Sequence, residues 1–142
     1  MTTGGRPVLV RNAGTGLVLE VERGNRLRTG APARPPGADQ RWLLTPVHPG
    51  AGVYHLLRPE DGRRLDVAGA STEPGARVQL WRANGFGAQE WLVEEHLDQP
   101  GVVSLVATIS GLPLDVDEEG RPRQAEESDS PTQGWHLDPL PE

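Results

Sequence analysis

The chain has 142 residues and a formal net charge of −6, with 35% hydrophobic and 24% charged residues. This length accommodates one domain whose core can fold without disulfides, and no apolar run approaches the roughly 18 residues that a membrane-spanning helix requires. Because the chain contains 18 Gly, 14 Pro and no Cys, long helices, disulfides and zinc fingers are excluded, and short strands joined by turns are expected.

Charge is divided unevenly along the sequence. Residues 1–93 contain 12 Arg and 8 acidic residues, whereas residues 94–142 contain 2 Arg and 12 acidic residues. An acidic third of the molecule would repel phosphate groups, and the Arg residues stand singly without interleaved aromatics. We therefore expect no nucleic-acid partner, and the absence of an apolar span predicts no membrane partner.

The sequence contains no recognisable metal or cofactor motif. The four His residues stand far apart, and no phosphate-binding or nucleophile motif is present, so we predict neither a metal nor a cofactor. The first ten residues lack the basic segment and apolar stretch of a secretory signal. Together with the absence of Cys, this predicts a cytoplasmic protein.

The alternation of apolar and polar residues predicts β-strands. Four strands are predicted in each of three successive segments. The first four are predicted at 7–12, 16–22, 25–29 and 40–47. The next four are predicted at 53–57, 63–67, 77–81 and 89–95. The last four are predicted at 102–108, 112–118, 122–127 and 133–140, of which 122–127 is the weakest. No segment is predicted to form a long helix.

Two sequence markers recur with one period. Gln-x-Trp tripeptides occur 49 and 44 residues apart, at 40–42, 89–91 and 133–135. Triplets of Leu, an acid and Val occur 46 and 49 residues apart, at 19–21, 65–67 and 114–116. Their common order and spacing indicate three structural repeats in a single domain, 1–142. The repeats are predicted to span roughly 5–48, 51–98 and 100–142.

Residues 65–91, LDVAGASTEPGARVQLWRANGFGAQEW, resemble one repeat of the ricin-B-type lectins, whose signature is three Gln-x-Trp repeats. The resemblance covers nearly the whole chain. It implies an all-β fold, the β-trefoil, with twelve short strands in three pseudo-symmetric repeats, six closing a barrel and six forming hairpins that cap it. A closed barrel is also physically favourable, because closing the sheet removes exposed edge strands.

The repeated residues are interpreted mainly as structural. Trp42, Trp91 and Trp135 are expected to fill the core of a symmetric barrel, because they recur threefold and each is followed by strand-like sequence. The adjoining Gln side chains are expected to hold the turn or to orient the acid of the same repeat.

The middle repeat contains the best candidate for a ligand site. Sugar recognition requires a carboxylate, amides and one aromatic face. By resemblance to the family, Asp66 would bind hydroxyls, Trp81 would stack on the sugar ring and Gln89 would orient Asp66. The remaining predicted ligand-binding residues are Gln79, Asn84 and Phe86. Ala88 stands where the family usually has Asn.

The other two repeats offer poorer sites. In the first, Glu20 replaces the Asp of the family, and the aromatic position falls near Arg28 or Thr29. In the third, Asp115 is retained but Ala125 replaces the aromatic residue. Both are predicted to be structural remnants.

The sequence therefore predicts a lectin-like module that binds a small carbohydrate or another small molecule. Because a fold does not fix a function, two alternatives stay open. One is a cofactor-free enzyme catalysing a cyclisation or addition in natural-product biosynthesis, with Asp66 as its acid or base and His55, Glu90, Asp115 and Glu20 as further candidates. The other is a protein-interaction or inhibitor trefoil.

Overall fold

The computed structural model describes residues 6–140, so both ends of the predicted domain lie outside the described residues. The first repeat contains β1 (Val8–Asn12), β2 (Val18–Arg23), β3 (Arg26–Gly30) and β4 (Leu43–Pro46). The second contains β5 (Val53–Leu57), β6 (Arg64–Val67), β7 (Val78–Trp81) and β8 (Trp91–Glu95). The third contains β9 (Val103–Ala107), β10 (Leu114–Val116), β11 (Pro122–Gln124) and β12 (Trp135–Pro139). Within 6–140 no helix is long and apolar enough to cross a membrane.

Six of these strands close a barrel through antiparallel pairs. Pairing runs from β1 to β12, β9, β8, β5 and β4. The ring closes where Val8 and Trp42 exchange two backbone hydrogen bonds of 2.8 and 3.0 Å. In β1, Val8, Val10 and Asn12 are buried while Leu9 and Arg11 are partly exposed, which is the alternation from which the strand was predicted.

The other six strands form three hairpins, β2–β3, β6–β7 and β10–β11. Backbone hydrogen bonds join each hairpin to its neighbours, from Leu80 N to Asn25 O (2.9 Å), Thr29 N to Gly120 O (2.9 Å) and Gln124 N to Ala76 O (3.0 Å). A six-stranded barrel capped by three linked hairpins is a β-trefoil. The predicted fold and its twelve strands are confirmed.

The three Gln-x-Trp tryptophans fill the core, as predicted. Trp42, Trp91 and Trp135 are fully buried. Each indole Nε1 donates a hydrogen bond of 3.0 to 3.1 Å to the carbonyl of the Leu that opens the Leu-acid-Val triplet of its own repeat. Because a buried indole N–H requires a partner, this bond couples the two sequence markers and explains why they share a period.

The last strand of each repeat begins later than predicted. We expected strands to start at Gln40, Gln89 and Gln133, but each Gln ends a 3-10 turn instead. The backbone N–H of each Gln donates to the carbonyl three residues earlier, at 3.0 to 3.4 Å. The sequence pattern does not reveal this turn, because the Gln side chain is buried in the way that an inward-facing strand residue would be.

Candidate functional site

One side-chain hydrogen bond joins the Gln and the acid in every repeat. The Gln Nε2 donates to a carboxylate oxygen in the pairs Gln40–Glu20 (2.6 Å), Gln89–Asp66 (2.9 Å) and Gln133–Asp115 (3.1 Å). The Oε1 of each Gln accepts a backbone N–H from the loop that precedes it. The Gln side chains therefore hold the turn and orient the acid at the same time.

In the middle repeat the acid opens onto a cleft of about 560 Å³. Asp66 is only 5% exposed, and its two oxygens accept hydrogen bonds from Gln79 Nε2 (3.2 Å) and Gln89 Nε2 (2.9 Å). A carboxylate offers about four acceptor positions, so acceptor capacity is left for donors of a ligand. Because both oxygens are already held, the orientation of the carboxylate is fixed before a ligand binds.

An apolar wall faces this carboxylate. Trp81 at the end of β7 is 39% exposed, and Phe86 in the following loop is 72% exposed. Both line the cleft, together with the buried Ala88. Ala70 lies at the same cleft with a φ of 52°, a left-handed conformation that disfavours side chains by roughly 1–2 kcal/mol. The wall suits the apolar face of a sugar ring or an apolar substituent.

Asn84 shapes the loop that carries Phe86. Its Oδ1 accepts the backbone N–H of Phe86 at 2.9 Å, and its own backbone N–H donates to Gln89 Oε1 at 3.1 Å. Arg64 Nη1 donates to the Asn84 carbonyl at 3.1 Å and braces the loop from the other side. Asn84 also lines the cleft, and its Nδ2 has no hydrogen-bond partner within 6–140, so this group is available to a ligand.

The structure brings the predicted site residues together. Of the predicted residues, those that line the cleft are Asp66, Gln79, Trp81, Asn84 and Phe86. Gln89 lies behind Asp66 as its hydrogen-bond donor. Sequence reasoning missed the polar lining residues Asn25 and Arg77, as well as the small residues at 68–70. Strand alternation could have found Arg77, because residues 77, 79 and 81 share one face, whereas Asn25 comes from the hairpin turn of another repeat.

The corresponding acid of the first repeat, Glu20, forms a salt bridge with an Arg side chain. Glu20 accepts a hydrogen bond from Arg28 Nε at 2.7 Å in addition to the one from Gln40. A guanidinium therefore takes the place that a sugar hydroxyl would take at this carboxylate, and the surrounding cleft has no aromatic lining residue.

The aromatic position of the first repeat was predicted wrongly. It was expected near Arg28 or Thr29, but strand pairing places Gly30 there, because Gly30 and Trp81 each pair with the residue that precedes the Leu of the triplet. A side chain at Gly30 would collide with the carboxylate of Glu20. The first repeat thus has no ring at the stacking position, and a side chain there would require the Glu20 carboxylate to move.

In the third repeat the acid is turned towards the backbone. Asp115 is buried, and its Oδ1 accepts the N–H of Val116 at 2.7 Å while its Oδ2 accepts from Gln133. Ala125 stands at the aromatic position, where its N–H donates to Pro113 O at 3.1 Å. The repeat keeps the acid and the Gln and lacks the ring.

The acid–base groups considered for an enzyme do not converge on Asp66. Glu20 and Asp115 belong to the other two repeats, and neither His55 in β5 nor Glu90 lines the Asp66 cleft. Burial, followed by the charge of Arg64, lowers the pKa of His55. In the described part of the chain, no three His, Cys, Asp or Glu side chains are grouped so that they could hold a metal ion.

Two overlapping segments of the chain match one protein family. Residues 2–81 and residues 38–126 each match the family described as ricin-type beta-trefoil lectin domain-like. Each match covers more than half of the chain. The chain belongs to this family.

Solved structures with this ricin-type fold superpose on nearly the whole chain. The designed three-fold symmetric protein ThreeFoil has a TM-score of 0.82 and 30% identity, over 94% of this chain and 99% of its own. An exo-β-1,3-galactanase from Clostridium thermocellum has a TM-score of 0.83 and 23% identity, over 95% of this chain and 30% of its own. Polyporus squamosus lectin, bound to the epitope Neu5Aca2-6Galb1-4GlcNAc, has a TM-score of 0.79 and 17% identity, over 99% and 51%. The chain thus spans about half of that lectin and less of the galactanase. Comparison with curated protein sequences finds no match.

This ricin-type chain departs from the family pattern at the residue before the Gln of Gln-x-Trp. In the middle repeat that residue is Ala88, which lines the cleft and has no polar side-chain group. A hydrogen bond to a ligand from this position, which the family resemblance implies for Asn, is therefore lost. The polar side chains that line this cleft are those of Asn25, Asp66, Arg77, Gln79 and Asn84.

Proposed function

We propose that the chain is a carbohydrate-binding module with one sugar site, the cleft of the middle repeat. The observation that carries this proposal is the placement of a pre-oriented carboxylate, Asp66, and a partly exposed indole, Trp81, in the same cleft. Membership of a lectin-like family supports it.

The cleft can recognise a pyranose by three kinds of contact. Sugar hydroxyls donate to the free acceptor positions of Asp66, and these charge-assisted bonds are the stronger ones. The apolar face of the ring packs on Trp81. The Nδ2 of Asn84 and the amide of Gln79 supply further polar contacts, while Gln89 keeps the carboxylate in place.

A single shallow site of this kind binds weakly, and lectins commonly gain strength from several sites. We expect a dissociation constant in the millimolar range, which corresponds to a binding free energy on the order of −4 kcal/mol. The ligand is a small carbohydrate, and the cytoplasmic location inferred from the sequence stays a prediction.

Titration calorimetry with methyl galactosides and other simple methyl glycosides, together with a glycan array, tests the proposal. The wild type should bind one equivalent, and Trp81→Ala should weaken binding about tenfold or more through loss of stacking. Asp66→Asn should abolish measurable binding, because it removes the charge and sets an amide N–H₂ against Gln79 or Gln89.

Asp115→Asn is the matched control. It changes an equally buried acid in the same kind of network without touching the cleft, so it should retain wild-type binding. The proposal fails if the wild type binds no sugar up to tens of millimolar, about the limit of a meaningful affinity, or if Asp66→Asn binds as well as the wild type.

One observation favours a second candidate. Phe86 and Ala88 make the cleft less polar than it would be with Asn at position 88, and such a cleft also suits an apolar substrate of a cofactor-free enzyme or a side chain of a protein partner. In the enzyme, Asp66→Asn would abolish turnover of a candidate intermediate and Trp81→Ala would raise KM. Wild-type turnover no faster than the uncatalysed rate would exclude this candidate.

A further inference from the structure

Three side chains of different chemistry lie in a row on the outward face of the middle hairpin. Val78 and Leu80 point into the core and are fully buried, so the alternate residues Arg77, Gln79 and Trp81 lie on the other face of the strand, where Gln79 is itself mostly buried. All three line the cleft that Asp66 also lines. At about 3.3 Å per residue, the Cα atoms of Arg77 and Trp81 are about 13 Å apart. A pyranose ring and a long Arg side chain together can bridge this separation between Cα atoms.

The guanidinium of Arg77 has no partner within residues 6–140, either as an ion pair or as a side-chain hydrogen bond. Its counterpart in the third repeat, Arg121, pairs with Glu22 at 2.7 Å, and this hydrogen bond lowers the pKa of Glu22. Among the described residues, Asp66 is the only carboxylate that lines the Arg77 cleft, and its oxygens are held by amides. Within residues 6–140, the Arg77 guanidinium is thus not held by an ion pair of its own.

A second guanidinium adjoins this one. Arg77 forms a backbone bridge with Arg123 of the neighbouring hairpin, and residues opposite each other in an antiparallel pair have side chains on the same face. The Nε of Arg123 is buried and has no hydrogen-bond partner. Arg123 also lies opposite Asp115 in the β10–β11 pair and does not line the cleft, so Arg77 is the guanidinium that an anion in the cleft would meet.

We propose that the cleft prefers an anionic saccharide, whose ring packs on Trp81 and whose carboxylate or sulfate ester is bound by Arg77. This inference rests on the proposed function of the same cleft. Guanidinium groups bind carboxylate and sulfate-like oxygens through paired N–H donors.

Matched pairs of ligands test the preference by calorimetry. The probes are methyl galactoside with methyl galacturonide, methyl glucoside with methyl glucuronide, and galactose with galactose 6-sulfate. For the wild type we expect the anionic member to bind about three- to tenfold tighter in about 20 mM salt, and the advantage to shrink in about 500 mM salt. Comparing the uronides with the sulfate identifies which anion Arg77 accepts.

Arg77→Gln should remove the preference while leaving the affinity for the neutral sugar within about twofold. Arg82→Gln is the control, because it removes the same charge from an exposed residue next to Trp81 that does not line the cleft, and it should keep the preference. Equal binding of both members, or an equal loss in the two variants, would overturn the inference and leave the proposed function standing. Binding of no sugar by the wild type would overturn both.

Discussion

In the middle and the third repeat alike, a buried Asp accepts a hydrogen bond from the Gln of Gln-x-Trp, and a buried Trp donates to the Leu carbonyl just before that Asp. Around this common frame the two repeats diverge. The second oxygen of Asp66 accepts from a side chain, Gln79, at an open cleft, whereas that of Asp115 accepts from the backbone of its neighbour Val116. The aromatic position holds Trp81 in one repeat and Ala125 in the other.

The comparison distinguishes two groups of residues within the family pattern, those that hold the fold and those that form the cleft. The frame is needed by all three repeats because it fills the core and holds the turns, and it therefore persists in the two repeats that lack an aromatic residue at the stacking position. The residues that make a cleft stand outside the frame, on the outward face of one hairpin and in one loop. Gln-x-Trp thus identifies the fold in this chain, and the flanking residues identify the site.

Removal of a framework Trp should have the largest effect. Trp91→Ala leaves a large cavity and strands the Leu65 carbonyl, so it should lower the free energy of unfolding by about 3–5 kcal/mol. Trp81→Ala should lower it by only about 1–2 kcal/mol, because part of this ring is already exposed, while still weakening sugar binding. Urea unfolding of both variants checks the contrast. Equal destabilisation would show that Trp81 belongs to the frame.

The two Gln residues should behave alike in stability and differently in binding. Gln89→Ala and Gln133→Ala each leave a buried carboxylate and a loop N–H without their partner, at about 1–3 kcal/mol. Only Gln89→Ala should also weaken sugar binding, because only Asp66 faces the cleft. Thermal unfolding and calorimetry measure the two effects. If Gln133→Ala weakened binding equally, the division between the repeats would be lost.

Restoring the family's Asn before the Gln of Gln-x-Trp should increase the difference in sugar binding between the middle and third repeats. Ala88→Asn adds a polar group to the cleft lining, and one additional hydrogen bond should raise the affinity for a neutral galactoside about two- to tenfold. Thr132→Asn makes the equivalent change in the third repeat and should create no second site, because Ala125 offers no ring. Calorimetric stoichiometry checks both variants, and a second binding equivalent in Thr132→Asn would contradict this account.

The smallest effect concerns pH. Burial and Arg64 lower the pKa of His55 in the folded chain. As the pH falls below the ordinary His value of about 6.5, the unfolded chain binds a proton that the folded chain does not, so the free energy of unfolding decreases. His55→Gln should show a flatter pH dependence of Tm between about pH 7 and the lowered pKa. An unchanged slope would show that His55 titrates normally.

Sequence reasoning recovered the fold because the Gln-x-Trp and Leu-acid-Val markers are in contact, and their common period reflects that contact. It recovered the cleft within one repeat because Asp66, Gln79 and Trp81 belong to one hairpin. It missed Asn25, which reaches the cleft from the first repeat, because contacts between repeats depend on the angles between hairpins. It placed the aromatic position of the first repeat near Arg28 or Thr29 instead of at Gly30, because the pairing register of β2 and β3 cannot be read from composition.

The indole N–H signals of the four Trp residues test the central claim most directly. In a two-dimensional ¹H–¹⁵N spectrum recorded during titration with the sugar that binds, the Trp81 signal should shift progressively and saturate at one equivalent. The signals of Trp42, Trp91 and Trp135 should stay nearly unchanged, because these rings are buried and donate to backbone carbonyls. A stationary Trp81 signal at saturation, or shifts confined to residues of the first or third repeat, would contradict the assignment of the site to the middle repeat.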